Sequence, residues 1–437
     1  MEKTAAMMWR LVLIITVIAI GFIFVSCDRI SPSPTALTTT STTTPPPVHV
    51  QTETIEVIPQ LTPTEDVLRG TVTLWHALEE GEISVLLQVI EDFKFIHPEV
   101  QFDVLYIPFE DLLTRYELSA SEDGGPSILI GPDRWAPLLF EEGLILDLTD
   151  LVDESWIESL NPPALDLSRY HQTLVSLPYR ISGVVLYRNR DIIPAPAKTF
   201  DDLADLARNA TTGDRIGGIL ERSFFYSGAH LLGLGGNLID DEGLPAFNDD
   251  LGLEWIDLLI SFEQIGPTEF SSDNDALLFM ENRVGYLIDG TWKRGILAES
   301  IGYDNLVIDP WPEFGDRQLA GFVQSRNLYL NSRVTNEAYN LAWRFCQFFV
   351  SPEYQLQLSE LDYVPVLINI EVEDRLTSQA MTALSYGRPY PTLPEMEFYL
   401  QVLDESLMSI FFGGESPDSA LNEAANKIKD ILSQSND

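Results

Sequence analysis

The stretch GTVTLWHALEEGEISVLLQVIEDFKFIHPEVQFDVLY, residues 70–106, changes its hydrophobic period twice. Val72 and Leu74 alternate into Trp75, the period of a strand. Ile83, Leu86, Leu87, Ile90 and Phe93 then recur at helical spacing, and His97-Pro98 stops that helix. Val100, Phe102, Val104 and Tyr106 alternate strictly, a second strand. Leu112, Leu113 and Tyr116 predict another helix, broken by Gly124-Gly125-Pro126 before the short apolar strand Ile128–Ile130. Strand–helix–strand–helix–strand is the pattern of a parallel or mixed α/β sheet.

The same alternation continues along the chain. Gly183–Tyr187 and Val284–Ile288 read as apolar strands. Thr199 ahead of Asp202 reads as an N-cap, and Ser351-Pro352 and Ser416-Pro417 as cap-then-proline helix starts. The last helix carries Leu421, Ala425, Ile428 and Leu432 on one face. Cys346 sits among Leu341, Ala342, Phe345 and Phe349 at helical spacing, the setting of a buried thiol rather than a nucleophile. The chain has 437 residues, too many for one ordinary core, so the expected fold class is α/β with two lobes.

The formal net charge is -41, from 26 basic and 67 acidic residues. That field repels phosphate backbones and anionic headgroups, so neither nucleic acid nor charge-driven membrane binding is expected. The N-terminus offers another route to a membrane. Arg10 precedes the uncharged run Leu11–Val25, then Ser26 and Cys27, the order of a signal peptide. The run is 15 residues long, whereas a helical span needs about 20. Phe24-Val25-Ser26-Cys27 resembles a bacterial lipobox, with Phe24 where Leu is usual. Cleavage would leave Cys27 as a lipid-bearing N-terminus; the other reading is an uncleaved membrane anchor. Residues 28–66 are then a Ser/Thr/Pro-rich tether, expected to be disordered or extended.

Several stretches, taken in order, resemble the maltose-type extracellular solute-binding proteins of ABC importers. They are Thr71–His76, His97-Pro-Glu-Val100, Ile107–Asp111, Gly125-Pro126 with Ile128–Trp135 and Glu142–Ile145, Leu177–Asp191, Gly235-Gly236 with Asp240, Gly285–Trp292, and Pro391–Met396. The resemblance covers about Gly70 to the C-terminus. It implies two discontinuous α/β lobes joined by hinge crossovers near Tyr179–Gly183, Gly321–Gln324 and Ile370. The lobes would be 67–180 plus 325–370, and 181–324 plus 371–437. It also implies a carbohydrate ligand, an ABC permease as partner, a monomer, an extracytoplasmic location and no cofactor.

A sugar offers apolar C–H faces and a rim of hydroxyls, so its site needs flat aromatics with fixed polar groups between them. Trp75, His76, Glu79 and Glu80 lie at a strand end and the helix start beyond it, where open α/β sheets place ligands. The plainer reading is a core Trp75 and a solvated acidic helix start. Asp133, Arg134 and Trp135 put an acceptor, a fork donor and a stacking face side by side. By resemblance this loop, Phe225-Tyr226, Trp292, and Tyr386, Arg388 and Tyr390 also face the ligand. Ordinary core aromatics and a Pro-stiffened loop are the alternatives. Ser182 stands where many relatives carry a glutamate, which removes a strong acceptor. Arg180, Arg222 and Arg388 raise the further expectation of an anionic or substituted sugar.

Other classes find less support. No G-x-S-x-G, H-E-x-x-H or Walker loop occurs, and the five histidines have no metal-ligand spacing. Asp240–Glu242 and Asp273–Asp275 have the wrong spacing for an EF-hand. A surface glycoside hydrolase needs two carboxylates flanking a bond, and none of the 67 acidic residues is distinguished. A tethered sugar sensor or adhesin on the same fold remains a further alternative.

Overall fold

The computed structural model describes residues 68–435 apart from 123, 241, 271–272, 362 and 393–394. Cys27 and the tether lie outside the described residues. Strand β1 (Arg69–His76) runs parallel to β2 (Glu99–Tyr106) on one side and β3 (Ile128–Pro132) on the other. Helices α1 (Glu80–Ile96) and α2 (Phe109–Ser121) make the two connections. The apolar stripe of α1, Val85, Leu86, Val89, Ile90 and Phe93, packs into one core with Val72 and Leu74 of β1. The period change in residues 70–106 therefore marks the element boundaries.

β4 (Leu177–Asn189) is the hub of the sheet. Beyond it come β5 (Ile216–Ile219), helix α3 (Phe224–Gly233), β6 (Val284–Gly290), β7 (Leu306–Asp309) and β8 (Phe322–Leu330). The strand order is β2-β1-β3-β8-β4-β6-β5, with β7 on the far half of β4 and Arg388–Pro389 beside the start of β8. The first half of β4 pairs antiparallel with β8, from Leu177 opposite Leu328 to Gly183 opposite Val323. From Val184 onward β4 pairs with β6 and, from Leu186, with β7 as well. The strand expected over Gly183–Tyr187 is thus the second half of a longer one. Arg180 and Ser182, half-buried on either side of the buried Ile181, conceal its start.

Gly183 stands at this exchange of partners. A Cβ there would lie 2.5 Å from the Phe322 carbonyl oxygen and 2.8 Å from Val323 Cγ1. Two backbones approach that closely only where one residue lacks a side chain.

Helices α4 (Asn336–Phe349), α5 (Pro352–Glu360), α6 (Arg375–Leu384), α7 (Met396–Met408) and α8 (Pro417–Ser435) complete the chain. Leu341, Phe345, Cys346 and Phe349 of α4 join the core of β1 and α1, and burial pushes the Cys346 thiol up. Tyr399, Leu403 and Leu407 of α7 and Leu421, Ala425 and Ile428 of α8 join a second core around Phe224, Trp255 and Phe322. A third, with Ile181, Val185, Val323, Val364 and Leu384, lies around the exchange point of β4. Thr199 caps Phe200–Ala210 as its sequence predicts, accepting from the Asp202 N–H at 3.1 Å. Among the described residues no three His, Cys, Asp or Glu side chains are grouped to hold a metal, and no helix is long and apolar enough to cross a membrane.

Candidate functional site

Beside the exchange point of β4 lies a cavity of about 250 Å³ lined by Glu79, Arg180, Ser182, Thr291, Trp292 and Tyr363. Each wall comes from a different part of the chain. Glu79 is the N-cap of α1, and its backbone N–H donates to the Glu82 carboxylate at 3.2 Å. Glu82 is buried, and its Oε1 accepts from Tyr179 Oη at 2.7 Å and from Arg180 Nε at 2.6 Å. The Arg180 guanidinium lies over the Tyr363 ring at 4.8 Å, and Tyr363 Oη donates to Glu79 Oε2 at 3.3 Å. Burial alone would disfavour the Arg180 charge, but Tyr179 and Glu82 outweigh it and hold the group firmly protonated. Thr291 Oγ1 accepts from the Gly183 N–H at 3.4 Å, which ties β4 to the short turn after β6.

An aromatic wall adjoins the cavity. Trp292 is 51% exposed, whereas Trp255 is fully buried in the core. Phe225, in the first turn of α3, lies 6.2 Å from Trp292 and 5.8 Å from Tyr390. Tyr226 stands edge-on to Phe225 at 5.2 Å. Behind it the wall is acidic. Burial pushes Asp289 up to about 6 and Asp275 up to about 7, and Glu221 adds to both shifts. The Tyr226 phenol is raised by burial and then by Asp289 and Glu221.

The loop after β3 departs from expectation at two positions. Trp135 is not an open stacking face: it is 6% exposed, stacked on Phe109 at 5.5 Å, and set against Gly131, where a Cβ would meet its ring at 2.3 Å. Asp133 is buried too, its Oδ1 accepting from the Ser325 N–H at 3.3 Å, and burial lifts it to about 7. Arg134 is exposed and lies over Phe109 at 5.4 Å, as does Arg326 of β8 at the same distance. The aromatic surface offered here is therefore Phe109, 37% exposed and approached by both guanidinium groups. Arg134 and Tyr390 influence each other's protonation, so this loop and the Phe225 wall are neighbours.

The remaining candidates divide. His76 turns inward: it is buried, its Nδ1 accepts from the Leu78 N–H at 3.2 Å, and Tyr106 covers it edge-on at 5.7 Å. Burial lowers its pKa against the pull of Glu82. Trp75 is half-buried against the core under α2, and Glu80 is a solvated first-turn residue. Ser182 lines the cavity. Tyr386 is exposed, and Arg388 donates to the carbonyls of Tyr386 and Gly387, both at 3.2 Å, bracing its own loop. Arg222 is buried far from anion access, donating to the Leu259 and Leu220 carbonyls. Sequence reasoning missed Glu82, Tyr363, Phe109 and Thr291. Only Glu82 left a local signal, an acidic residue three positions after the N-cap.

The family model described as bacterial extracellular solute-binding protein matches residues 88–382. The chain belongs to that family. The maltotriose-binding protein of Pyrococcus abyssi (strain GE5 / Orsay) is 24% identical to this solute-binding protein over 316 residues, 69% of this chain and 67% of the relative. A maltooligosaccharide ABC transporter solute-binding lipoprotein of Streptococcus pneumoniae (strain ATCC BAA-255 / R6) is 23% identical over 285 residues, 59% of this chain and 65% of that one. Among solved structures, the extracellular solute-binding protein of Staphylococcus aureus in complex with maltose matches with a TM-score of 0.75 at 17% identity, covering 83% of this chain and 98% of that one. The fold of the solute-binding protein is accordingly the two-lobed α/β architecture, with β8 and β4 side by side in the middle of the sheet.

Proposed function

We propose that this solute-binding protein captures a saccharide between its lobes and delivers it to an ABC permease. The observation that carries the proposal is the exposed Trp292, backed by the half-buried Phe225 and Tyr390, beside a cavity whose polar groups are fixed by the protein itself. Flat aromatics with converging polar side chains are what a sugar ring requires. The names of the relatives from Pyrococcus and Streptococcus support the ligand class. The lobes are 67–180 plus 325–370 and 181–324 plus 371–437, so β4 and β8 serve as hinge strands. Ligand docked on one wall gains contacts to the other and populates the closed form, which a permease then reads. The protein works by binding, as a monomer, without cofactor or catalysis. A thermal-shift and calorimetric screen against maltose, maltotriose and other oligosaccharides tests the proposal. Affinity near micromolar, about -8 kcal/mol, suits capture and release. A melting temperature unmoved by every saccharide in the screen overturns it, because any ligand specific to the native state raises stability by mass action.

The location is the second part of the proposal. Lipid on Cys27 and the 28–66 tether hold the protein outside the membrane; the pneumococcal relative is itself named a lipoprotein. Cys27→Ser should release the protein into the medium. Retention of the variant on membranes would assign the anchor to the apolar run Leu11–Val25 instead.

A further inference from the structure

We infer that the Glu82–Arg180 pair sets the charge selectivity of the cavity, making it a site for neutral saccharides that rejects uronates. The inference rests on the saccharide reading above and deepens it. Arg180 lines the cavity directly, and Glu82 stands behind it in the wall. A bare guanidinium in such a place would attract a carboxylate through paired N–H donors. Here Glu82 takes the Nε–H at 2.6 Å, with side chains only 13% and 3% exposed, so the two charges cancel in a setting where water screens them weakly. What remains of Arg180 is a set of hydrogen-bond donors held flat on the Tyr363 ring.

The other charge in the lining acts in the same direction. Glu79 lines the cavity, whereas Lys293 beside Asp289, and Arg134 and Arg326 over Phe109, lie outside its lining. Apart from Arg180 the lining holds no cation and a single carboxylate, Glu79, so a uronate there meets a neutralised guanidinium and a like charge, whereas a neutral ring meets donors from Arg180, Ser182 and Thr291 and an acceptor from Glu79. Selectivity then arises from repulsion as much as attraction. Arg222 and Arg388, the other cations expected from sequence, do not line the cavity and turn their donors to backbone carbonyls.

Glu82 acts through Arg180 and is a positioning residue. Its test is a ratio of affinities, which a purely structural role would leave unchanged. Calorimetry on the full folded chain would compare maltotriose with an α-1,4-linked triuronate of the same length. Wild type should prefer maltotriose. Glu82→Gln, which exposes the Arg180 charge, should narrow that preference by about tenfold, and Arg180→Met, which leaves Glu82 unopposed, should widen it. Equal losses for both ligands in each variant, or a wild type that binds the triuronate as well as maltotriose, would overturn the inference while leaving saccharide capture intact. A wild type that binds no saccharide removes the capture reading itself, and the inference with it.

Discussion

Trp292 and Trp135 both follow a strand of the central sheet, yet one faces solvent and the other is sealed. The difference is what covers them. Phe109 stacks on Trp135, and Gly131 lets the indole lie against its own strand. Trp292 rests on Gly290 in the same way, with a hypothetical Cβ only 2.1 Å from its ring, but its outer face stays open. Trp292→Ala should therefore weaken saccharide binding by about 1–3 kcal/mol through lost stacking and burial, while the urea midpoint hardly moves. Trp135→Ala should instead cost about 3–5 kcal/mol of stability, since it empties a packed site. Calorimetry and urea denaturation on both variants separate the roles; unchanged affinity in Trp292→Ala removes that residue from the site. The same contrast explains what was legible here. A tryptophan after a strand can be read from sequence, but the ring that will cover it cannot.

β4 decides more of this fold than any other element. Six residues, Leu177 to Gly183 without Tyr179, pair it with β8, and Val184 to Arg188 pair it with β6. Gly183 permits the exchange by letting the Phe322 backbone come close. Gly183→Val should overpack this contact and cost at least about 1–3 kcal/mol, seen as a lower urea midpoint. Ser182→Ala on the same strand should leave the midpoint nearly unchanged. If Gly183→Val is as stable as wild type, the close approach is not what holds the two halves in register. The apolar second half of this strand was legible because it is buried on both faces, whereas Arg180 and Ser182 broke the pattern where the strand borders the cavity. Hydrophobic period reports burial, and it fades where an element lines a polar cleft.

At the scale of the whole molecule, the acidic surplus and three buried carboxyls act together. Asp133 and Asp275 are lifted from an ordinary 3.8 to about 7, and Asp289 to about 6, in each case chiefly by burial. The folded chain thus holds protons that the unfolded chain releases above pH 4. The contribution of these three groups is full below that point and falls as pH rises from about 4 through 7. Lowering the pH also reduces the repulsion behind a net charge of -41. The melting temperature should therefore be higher at pH 5 than at pH 8. His230, lowered by burial to about 3, and His76, also lowered, act in the opposite sense up to about pH 6.5 and offset part of this trend, while Asp374, whose pKa is lowered, does so only below about pH 4. A melting temperature that rises between pH 5 and pH 8 would mean that these carboxyls are ionised and compensated in the fold.

The sequence by itself determined the local elements and the fold class. Residues 70–131 switch between periods of two and 3.6 because each element buries one face, and burial is written in the spacing of apolar residues. It also located Trp292, whose neighbours Gly290 and Lys293 are poor company for a core residue. Only the tertiary structure decided that Trp135, His76 and Asp133 turn inward and that Phe109 takes the exposed place. Only the tertiary structure joined Glu82 to Arg180, 98 positions apart, and set Tyr363 beneath the guanidinium. Periodicity reaches one turn or one strand. A cleft is made where distant strand ends converge, and its charge balance depends on pairings that no local pattern records.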